Sequence, residues 1–198
     1  KLNSVTKNTN IFNFKCDTSK EREVINLKKF IKSSFGHLDV LINNAAVQEK
    51  PNIFFQTSTQ EWADTFNNNI LSTYLCSKHC IELLLKSKIK KIINFAGGGA
   101  FDVFPYFSSY AVSKAAIVRF TENISYELKQ YKISVIAIAP GFVNTPIHNK
   151  VLKYGKQNAN NYYNFVKKKI KKGSVPISDV RECVDFIIKT RSKSINGI

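Results

Sequence analysis

The chain has 198 residues, of which 43% are hydrophobic and 12% aromatic, and this composition suffices for one folded domain with a buried core. Lysine and arginine outnumber aspartate and glutamate by 30 to 14, which gives a formal net charge of +16. The basic residues are mostly lysines spread along the chain, and the one dense run, 167–172, lacks interleaved aromatic residues for base stacking. The composition therefore excludes a disordered chain and indicates no nucleic-acid partner.

The cysteines at positions 16, 76, 80 and 183 show neither C-x-x-C spacing nor a paired framework. Disulfide bonds and a bound metal are therefore not expected, and a reducing, cytoplasmic location fits best. No apolar run approaches the ~20 residues needed to span a bilayer, and the sequence has no recognisable signal peptide, so we expect no membrane partner.

Apolar runs alternate with segments of helical period, which is typical of a doubly wound α/β domain with a parallel sheet covered on both faces. The predicted strands are 11–15, 40–43, 91–95 and 133–139. The predicted helices are 19–35, 61–85 and 109–131, together with one that Ser178 caps and that runs to about Lys189.

Tyr110 and Lys114 are four residues apart on one of these helices, so both side chains lie on the same face. A free phenol has a pKa near ~10 and is a poor acid-base catalyst at neutral pH unless a nearby positive charge stabilises the phenolate. Lys114 supplies such a charge. By itself, however, the pair also describes an ordinary amphipathic helix, and other motifs must decide between the two interpretations.

Further motifs occur in a fixed order along the chain. They are Asp17 after the first predicted strand, Asn43-Asn44-Ala45-Ala46 after the second, Asn69 in a helix, Pro140-Gly141 after the last strand, and Thr145-Pro146 just beyond. With Tyr110 and Lys114, this set resembles the short-chain dehydrogenase/reductase family over nearly the whole chain. The resemblance implies a Rossmann-like, three-layer αβα fold and an oxidoreductase that interconverts an alcohol and a carbonyl with NAD or NADP.

The resemblance also implies roles for individual residues. Tyr110 exchanges the hydroxyl proton, Lys114 lowers the pKa of Tyr110 and bonds the nicotinamide ribose, and Asn69 holds a water that links Lys114 to solvent. Without the resemblance, Asn69 would be interpreted as a plain surface residue of a polar run. The implied cofactor-binding residues are Asp17, Asn43, Ala45, Tyr110, Lys114, Pro140, Gly141, Val143 and Thr145.

One family residue is absent. The family carries its catalytic serine thirteen residues before the tyrosine, where this chain has Gly97, preceded by Ala96. Loss of one such hydrogen bond to the reacting oxygen costs on the order of 10²–10³ in rate. We therefore weigh two alternatives: a slower enzyme, in which Ser108 or Ser109 substitutes for the serine, and a catalytically decayed relative that binds nucleotide.

The chain begins with Lys1 and contains no methionine. The resemblance places the family's glycine-rich phosphate-binding turn before Leu2 and most of its last strand after residues 194–198. We therefore expect residues 1–198 to be one partial dinucleotide-binding domain. The residue that selects between NAD and NADP also precedes Lys1, so the two cofactors are not distinguished.

Residues 145–173 interrupt the alternation with aromatic residues among polar and basic ones. We interpret this segment as a substrate lid, with a simple surface pair of helices as the alternative. The resemblance further implies a homodimer or homotetramer that packs through the helices near 61–85 and 109–131, with Tyr74, Leu75 and Phe120 facing outward.

Overall fold

The computed structural model describes residues 10–190 and 195–197. The strands are β1 (Val40–Asn43), β2 (Lys91–Phe95) and β3 (Ser134–Ile138). The helices are α1 (Glu21–Phe35), α2 (Thr59–Leu85), α3 (Ser108–Leu128), α4 (Pro146–Tyr154), α5 (Lys156–Lys171) and α6 (Ile177–Lys189). Strands and helices alternate through most of these ranges, as the apolar pattern predicts.

The three strands form one parallel sheet in the order β1-β2-β3, with Ile92 opposite Val135. Successive residues of β2 face opposite sides of the sheet. Ile92 packs with Leu84 of α2, whereas Ile93 packs with Ile187 of α6. Because helices cover both faces, the architecture is the predicted doubly wound, three-layer α/β fold.

The strand predicted at 11–15 does not form. Residues 10–16 are irregular, and Phe12 and Phe14 are exposed. Their rings contact α1 instead: Phe12 lies 5.1 Å from Phe35, and Phe14 lies 5.1 Å from Phe30. An apolar run becomes a strand only where its backbone pairs with a neighbour, and residues 10–16 have no strand partner among the described residues.

The ends of α6 and of the sheet differ in detail from the prediction. Ser178 lies inside α6 rather than at its cap, because the helix begins at Ile177, directly after Pro176. The Ser178 hydroxyl donates to Asp179 Oδ1 at 3.0 Å instead of capping the helix. Beyond β3, Gly197 forms a parallel bridge with Ile136, where the last strand was expected to begin. Within the described part of the chain, every helix is too short or too polar to cross a membrane.

Candidate active site

Parallel strands end at the same edge of a sheet, and open α/β sheets bind ligands at that carboxyl edge. The loops after β1, β2 and β3 are residues 44–53, 96–107 and 139–145. Most of the predicted site residues lie in these loops or at the start of α3, which follows the second loop. They are Ala45, Tyr110, Pro140, Gly141, Val143 and Thr145.

Tyr110 and Lys114 lie on one face of α3, as their spacing predicts. Lys114 is 2% exposed, and its Nζ donates a 2.9 Å hydrogen bond to the carbonyl oxygen of Phe95 at the end of β2. The same nitrogen lies 5.6 Å from the centroid of the Tyr110 ring. The backbone of the sheet therefore holds the lysine beside the tyrosine.

Burial shifts the pKa values of Lys114 and Tyr110 in the direction that favours the neutral form of each group. The pKa of Lys114 falls to about 8 because burial penalises the ammonium. The pKa of Tyr110 rises to about 12, first because burial penalises the phenolate and second because the Glu49 carboxylate lies nearby. This shift is opposite to the lowering expected from Lys114, because desolvation dominates the Tyr110 pKa and Lys114, with a pKa of about 8, has already lost its charge at the pH where the phenol ionises.

Position 97 faces the tyrosine hydroxyl. A Cβ atom added to Gly97 would lie 3.2 Å from Tyr110 Oη and 3.9 Å from Lys114 Cε. Position 97 thus lies beside the tyrosine hydroxyl and the lysine, and glycine places no hydroxyl there. Nearby, Gly99 has a φ of 84° and its added Cβ would lie 2.7 Å from the Ala111 Cβ, so this loop passes too close to α3 for any side chain.

The two serines considered as substitutes are engaged elsewhere. Ser108 Oγ accepts a 3.1 Å hydrogen bond from the indole Nε1 of Trp62, and Ser109 Oγ donates a 2.5 Å bond to the Trp62 carbonyl oxygen. Both hydroxyls thus connect α3 to α2. Among the described residues, no side chain donates a hydrogen bond to Tyr110 Oη or accepts one from it.

Asn69 is fully buried, so its interpretation as a plain surface residue is wrong. Its Oδ1 accepts a 2.8 Å bond from the Val47 N–H, and its Nδ2 donates to the Val47 carbonyl oxygen at 3.0 Å and to Ser113 Oγ at 2.9 Å. Ser113 Oγ in turn donates to the Tyr110 carbonyl oxygen at 2.7 Å. Sequence reasoning missed Ser113, although its position one turn after Tyr110 was the available signal.

A cavity of about 160 Å³ lies beside Asp17, Ala45 and Asn69. Asp17 also organises the start of α1, because its Oδ1 accepts bonds from the Ser19 N–H at 3.1 Å and the Ser19 hydroxyl at 2.7 Å. These bonds and Lys20, whose Nζ is 3.2 Å from Oδ2, lower the pKa of the Asp17 carboxyl group. The carboxylate thus has a structural role and also lines the cavity.

The Asn43 side chain turns into the protein rather than toward this cavity. Its Nδ2 donates to Asn94 Oδ1 at 2.8 Å and to Ser77 Oγ at 3.0 Å. Asn94 then donates to Thr121 Oγ1 at 2.8 Å. This chain of hydrogen-bonded side chains ties β1, β2 and α3 together, and sequence reasoning did not predict the parts that Asn94 and Thr121 play in it.

The loop after β3 has a conformation that depends on glycine. Gly141 has a φ of 73°, and an added Cβ would lie 3.1 Å from Val175 Cγ2. Thr145 directly precedes α4, which begins at Pro146, a residue suited to a first helical turn. The predicted cofactor residues of this loop therefore share the sheet edge with the loops that carry Ala45 and Gly97.

The family model described as short chain dehydrogenase matches residues 1–154 of this chain. The chain belongs to the short-chain dehydrogenase family. This assignment confirms the resemblance carried by the motif order, and it agrees with the meeting of Tyr110, Lys114 and position 97 at the sheet edge.

Individual relatives agree with the family assignment. An uncharacterized oxidoreductase of Thermotoga maritima is 34% identical over 131 residues, covering 66% of this chain and 51% of that protein. The 3-oxoacyl acyl-carrier-protein reductase of Haemophilus influenzae is 31% identical over 128 residues, covering 65% and 52%. The crystal structure of 3-ketoacyl-(acyl-carrier-protein) reductase from Brucella melitensis complexed with NADH matches with a TM-score of 0.77 and 26% identity, covering 92% and 72%. The chain spans about half the length of the curated relatives it matches.

Helices α4 and α5 pack over the start of α3. Their buried residues Val151, Ala159 and Val166 form a cluster with Phe107, and Tyr110 contacts the same cluster. The Tyr162 ring of α5 lies 5.2 Å from that of Phe107. The segment interpreted as a lid is thus a pair of helices that packs against the residues around Tyr110.

A buried carboxylate that the sequence did not reveal completes the site of this family member. Glu49, in the loop after β1, is 3% exposed and accepts hydrogen bonds from the backbone N–H groups of Ser109 and Tyr110. In the sequence it stands between Gln48 and Lys50, a polar context typical of an exposed loop. Its burial depends on the docking of that loop onto α3.

Proposed function

We propose that the protein carrying this chain is an NAD(P)-dependent oxidoreductase that interconverts an alcohol and a carbonyl. The observation that carries the proposal is the Tyr110–Lys114 pair at the carboxyl edge of the sheet, with the ammonium 5.6 Å from the ring centroid. Family membership supports it, and so does similarity to two acyl-carrier-protein reductases whose names describe carbonyl substrates.

The residues beside the cavity suit a dinucleotide. The methyl groups of Ala45 and Ala46 leave room for a flat base, and the Asp17 carboxylate can accept a hydrogen bond from an exocyclic amino group. A bound nicotinamide supplies or accepts the hydride. The Brucella reductase is complexed with NADH, and we propose NAD or NADP here. The residues proposed to hold the nicotinamide half are Pro140, Gly141, Val143 and Thr145.

Tyr110 moves the proton in this proposal. During oxidation the substrate hydroxyl gives its proton to Tyr110 Oη as the hydride leaves the substrate carbon, and during reduction Oη returns a proton to the carbonyl oxygen. Lys114 offsets part of the burial penalty on the phenolate. Asn69 is the third proposed member of the relay, and Ser113 connects it to the Tyr110 backbone.

The helical pair at 145–173 is proposed to be the substrate lid of this domain. Its aromatic residues contact the cluster around Phe107 and Tyr110, so a substrate carbon presented to Tyr110 would lie near apolar and aromatic side chains. Exclusion of water by such a cover strengthens the electrostatic interactions at the phenol.

A second candidate function is nucleotide binding without turnover. The observation that favours it is Gly97, which leaves Tyr110 Oη without the hydroxyl that the family places at that position. Because Ser108 and Ser109 are bonded to Trp62, neither is free to replace it in this conformation. The measurement below separates the two functions.

The test is consumption of reduced cofactor by the complete protein over a panel of carbonyl compounds. Tyr110→Phe removes only the hydroxyl, and we expect it to lower turnover by about 10²–10⁴. Tyr126→Phe is the matched control, because Tyr126 lies on the same helix and is 82% exposed. Equal turnover in wild type and Tyr110→Phe would refute the role of Tyr110. Cofactor binding without turnover in the wild type would favour the second candidate.

Assembly and location are further proposals. Tyr74 on α2 is exposed, and its ring lies 6.2 Å from that of Phe120 on α3, which supports a homodimer or homotetramer through these helices. Leu75 does not belong to that surface, because it is buried against Val24. The described cysteines are all unpaired, which supports a cytoplasmic location. Sedimentation of the complete protein tests the assembly.

A further inference from the structure

Helix α3 lacks a cap of its own. It begins after Phe107, which provides no side-chain acceptor, and its first turn contains no acidic residue. The first N–H groups of a helix have no partner within the helix, and they carry the positive end of its dipole. In α3 these N–H groups include the ones of Ser109 and Tyr110. The residue proposed to move the proton therefore lies in a helical turn that needs acceptors from elsewhere in the chain.

Glu49 supplies the acceptors from another part of the chain. Its Oε1 lies 2.8 Å from the Ser109 nitrogen and 3.1 Å from the Tyr110 nitrogen, and its Oε2 lies 3.1 Å from the Tyr110 nitrogen. None of the described ion pairs involves Glu49, so its partners are backbone N–H groups. Burial raises the pKa of the Glu49 carboxyl group, and the nearby Glu61 carboxylate raises it further to a lesser extent. The hydrogen bonds from the backbone N–H groups lower it but do not outweigh burial.

We propose that Glu49 is a positioning residue for Tyr110: its carboxylate anchors the start of α3 and holds a negative charge beside the phenol. The effect of Glu49 on proton transfer rests on the proposed function, whereas the anchoring of α3 does not. Both effects come from one side chain, because the carboxylate that accepts the Tyr110 N–H is also the one whose charge raises the pKa of the Tyr110 phenol.

The ionisable groups around Tyr110 come from several elements. Lys114 lies on α3, Tyr162 on α5, Glu49 in the loop after β1, and Glu61 on α2 beside Glu49. Lys114 is the one with a pKa near neutrality, at about 8. Replacing Glu49 leaves these other groups in place, so a change in the Tyr110 pKa reports the loss of the Glu49 carboxylate.

The experiment is an NMR titration of the complete protein labelled with ¹³C at the tyrosine Cζ. The chain has eight tyrosines, and the Tyr110 resonance is the one lost in Tyr110→Phe. Glu49→Gln keeps Oε1 as an acceptor and removes the charge. We expect the Tyr110 pKa to fall by about one unit from its value near 12 and to stay above that of a free phenol. The control is Glu127→Gln, which removes an exposed carboxylate of α3 and should leave the Tyr110 pKa unchanged.

Glu49→Ala removes the cap as well as the charge. We expect its thermal midpoint to fall by about 2–6 °C relative to Glu49→Gln, the size of a lost helix cap in a protein of this length. An unchanged Tyr110 pKa in Glu49→Gln would overturn the inference, and so would equal midpoints of the two variants. A wild type that shows the Tyr110 shift but no turnover would refute the proposed function and still support the position assigned to Glu49.

Discussion

The two halves of the candidate site are built in different ways. At the cavity side, Asp17 is exposed and bonds residues within six positions of itself, such as Ser19 and Glu23. At the tyrosine side, Tyr110 is anchored by a residue 61 positions away and Lys114 by one 19 positions away. The cavity side therefore depends on a local turn, whereas the tyrosine side depends on the packing of the whole sheet edge. Substitutions at the first should affect ligand binding, and substitutions at the second should also affect stability.

The largest expected contrast is between Asn69→Ala and Asp17→Ala. Removing the buried Asn69 amide leaves the Val47 N–H and carbonyl and the Ser113 hydroxyl without their partner, at a cost of about 3 kcal/mol in unfolding free energy. Asp17→Ala should weaken cofactor binding and should cost less unfolding free energy than Asn69→Ala, because its hydrogen bonds to Ser19 are exposed to water. Urea denaturation and cofactor titration of both variants measure this. Equal loss of stability in the two would show that the halves are not built differently.

The second prediction concerns pH and Lys114. In the unfolded chain a lysine keeps its proton up to pH 10.5, whereas the pKa of buried Lys114 is about 8. Between these values the unfolded state binds the proton of this lysine more tightly than the folded state, so the contribution of Lys114 to stability rises with pH by up to about 3 kcal/mol. Buried Cys76 and Cys80, whose pKa values are raised, give the opposite slope, so the prediction concerns the difference between variants. In urea denaturation below and above this window, the unfolding free energy of Lys129→Met, whose lysine is exposed, should follow that of wild type, and the unfolding free energy of Lys114→Met should fall behind both as pH rises. Parallel pH profiles for Lys114→Met and wild type would contradict the assignment.

The smallest contrast is expected between two glycines with similar backbone angles. Gly36 and Gly99 have φ angles of 77° and 84°. A Cβ atom added to Gly36 would have no neighbour within 4 Å, whereas a Cβ atom added to Gly99 would lie 2.7 Å from the Ala111 Cβ. Gly36→Ala should cost about 1–2 kcal/mol from the backbone alone. Gly99→Ala should cost about 1–3 kcal/mol more, because it overpacks the loop against α3. Thermal melts of both variants test this, and identical midpoints would mean that the loop moves away from α3 without cost.

Strong local patterns explain what sequence reasoning got right. The strands at 40–43 and 91–95 have the predicted bounds, because short apolar runs between helical segments leave few alternatives in an α/β chain. The strand expected at 11–15 has the same apolar character, yet it stays irregular because it has no strand to pair with in the described residues. A strand needs a partner, and no pattern within the segment itself reveals one.

For the site, sequence alone determined the family, the order of the motifs, the Tyr110–Lys114 face and the position of Gly97, since helix geometry and spacing are local properties. Only the tertiary structure decided the direction of the Tyr110 pKa, the burial of Asn69 and the contact between Glu49 and α3. Each of these depends on how much water the surrounding elements exclude and on which distant backbone groups they bring within hydrogen-bonding distance. Those quantities belong to the packed molecule, and no stretch of sequence contains them.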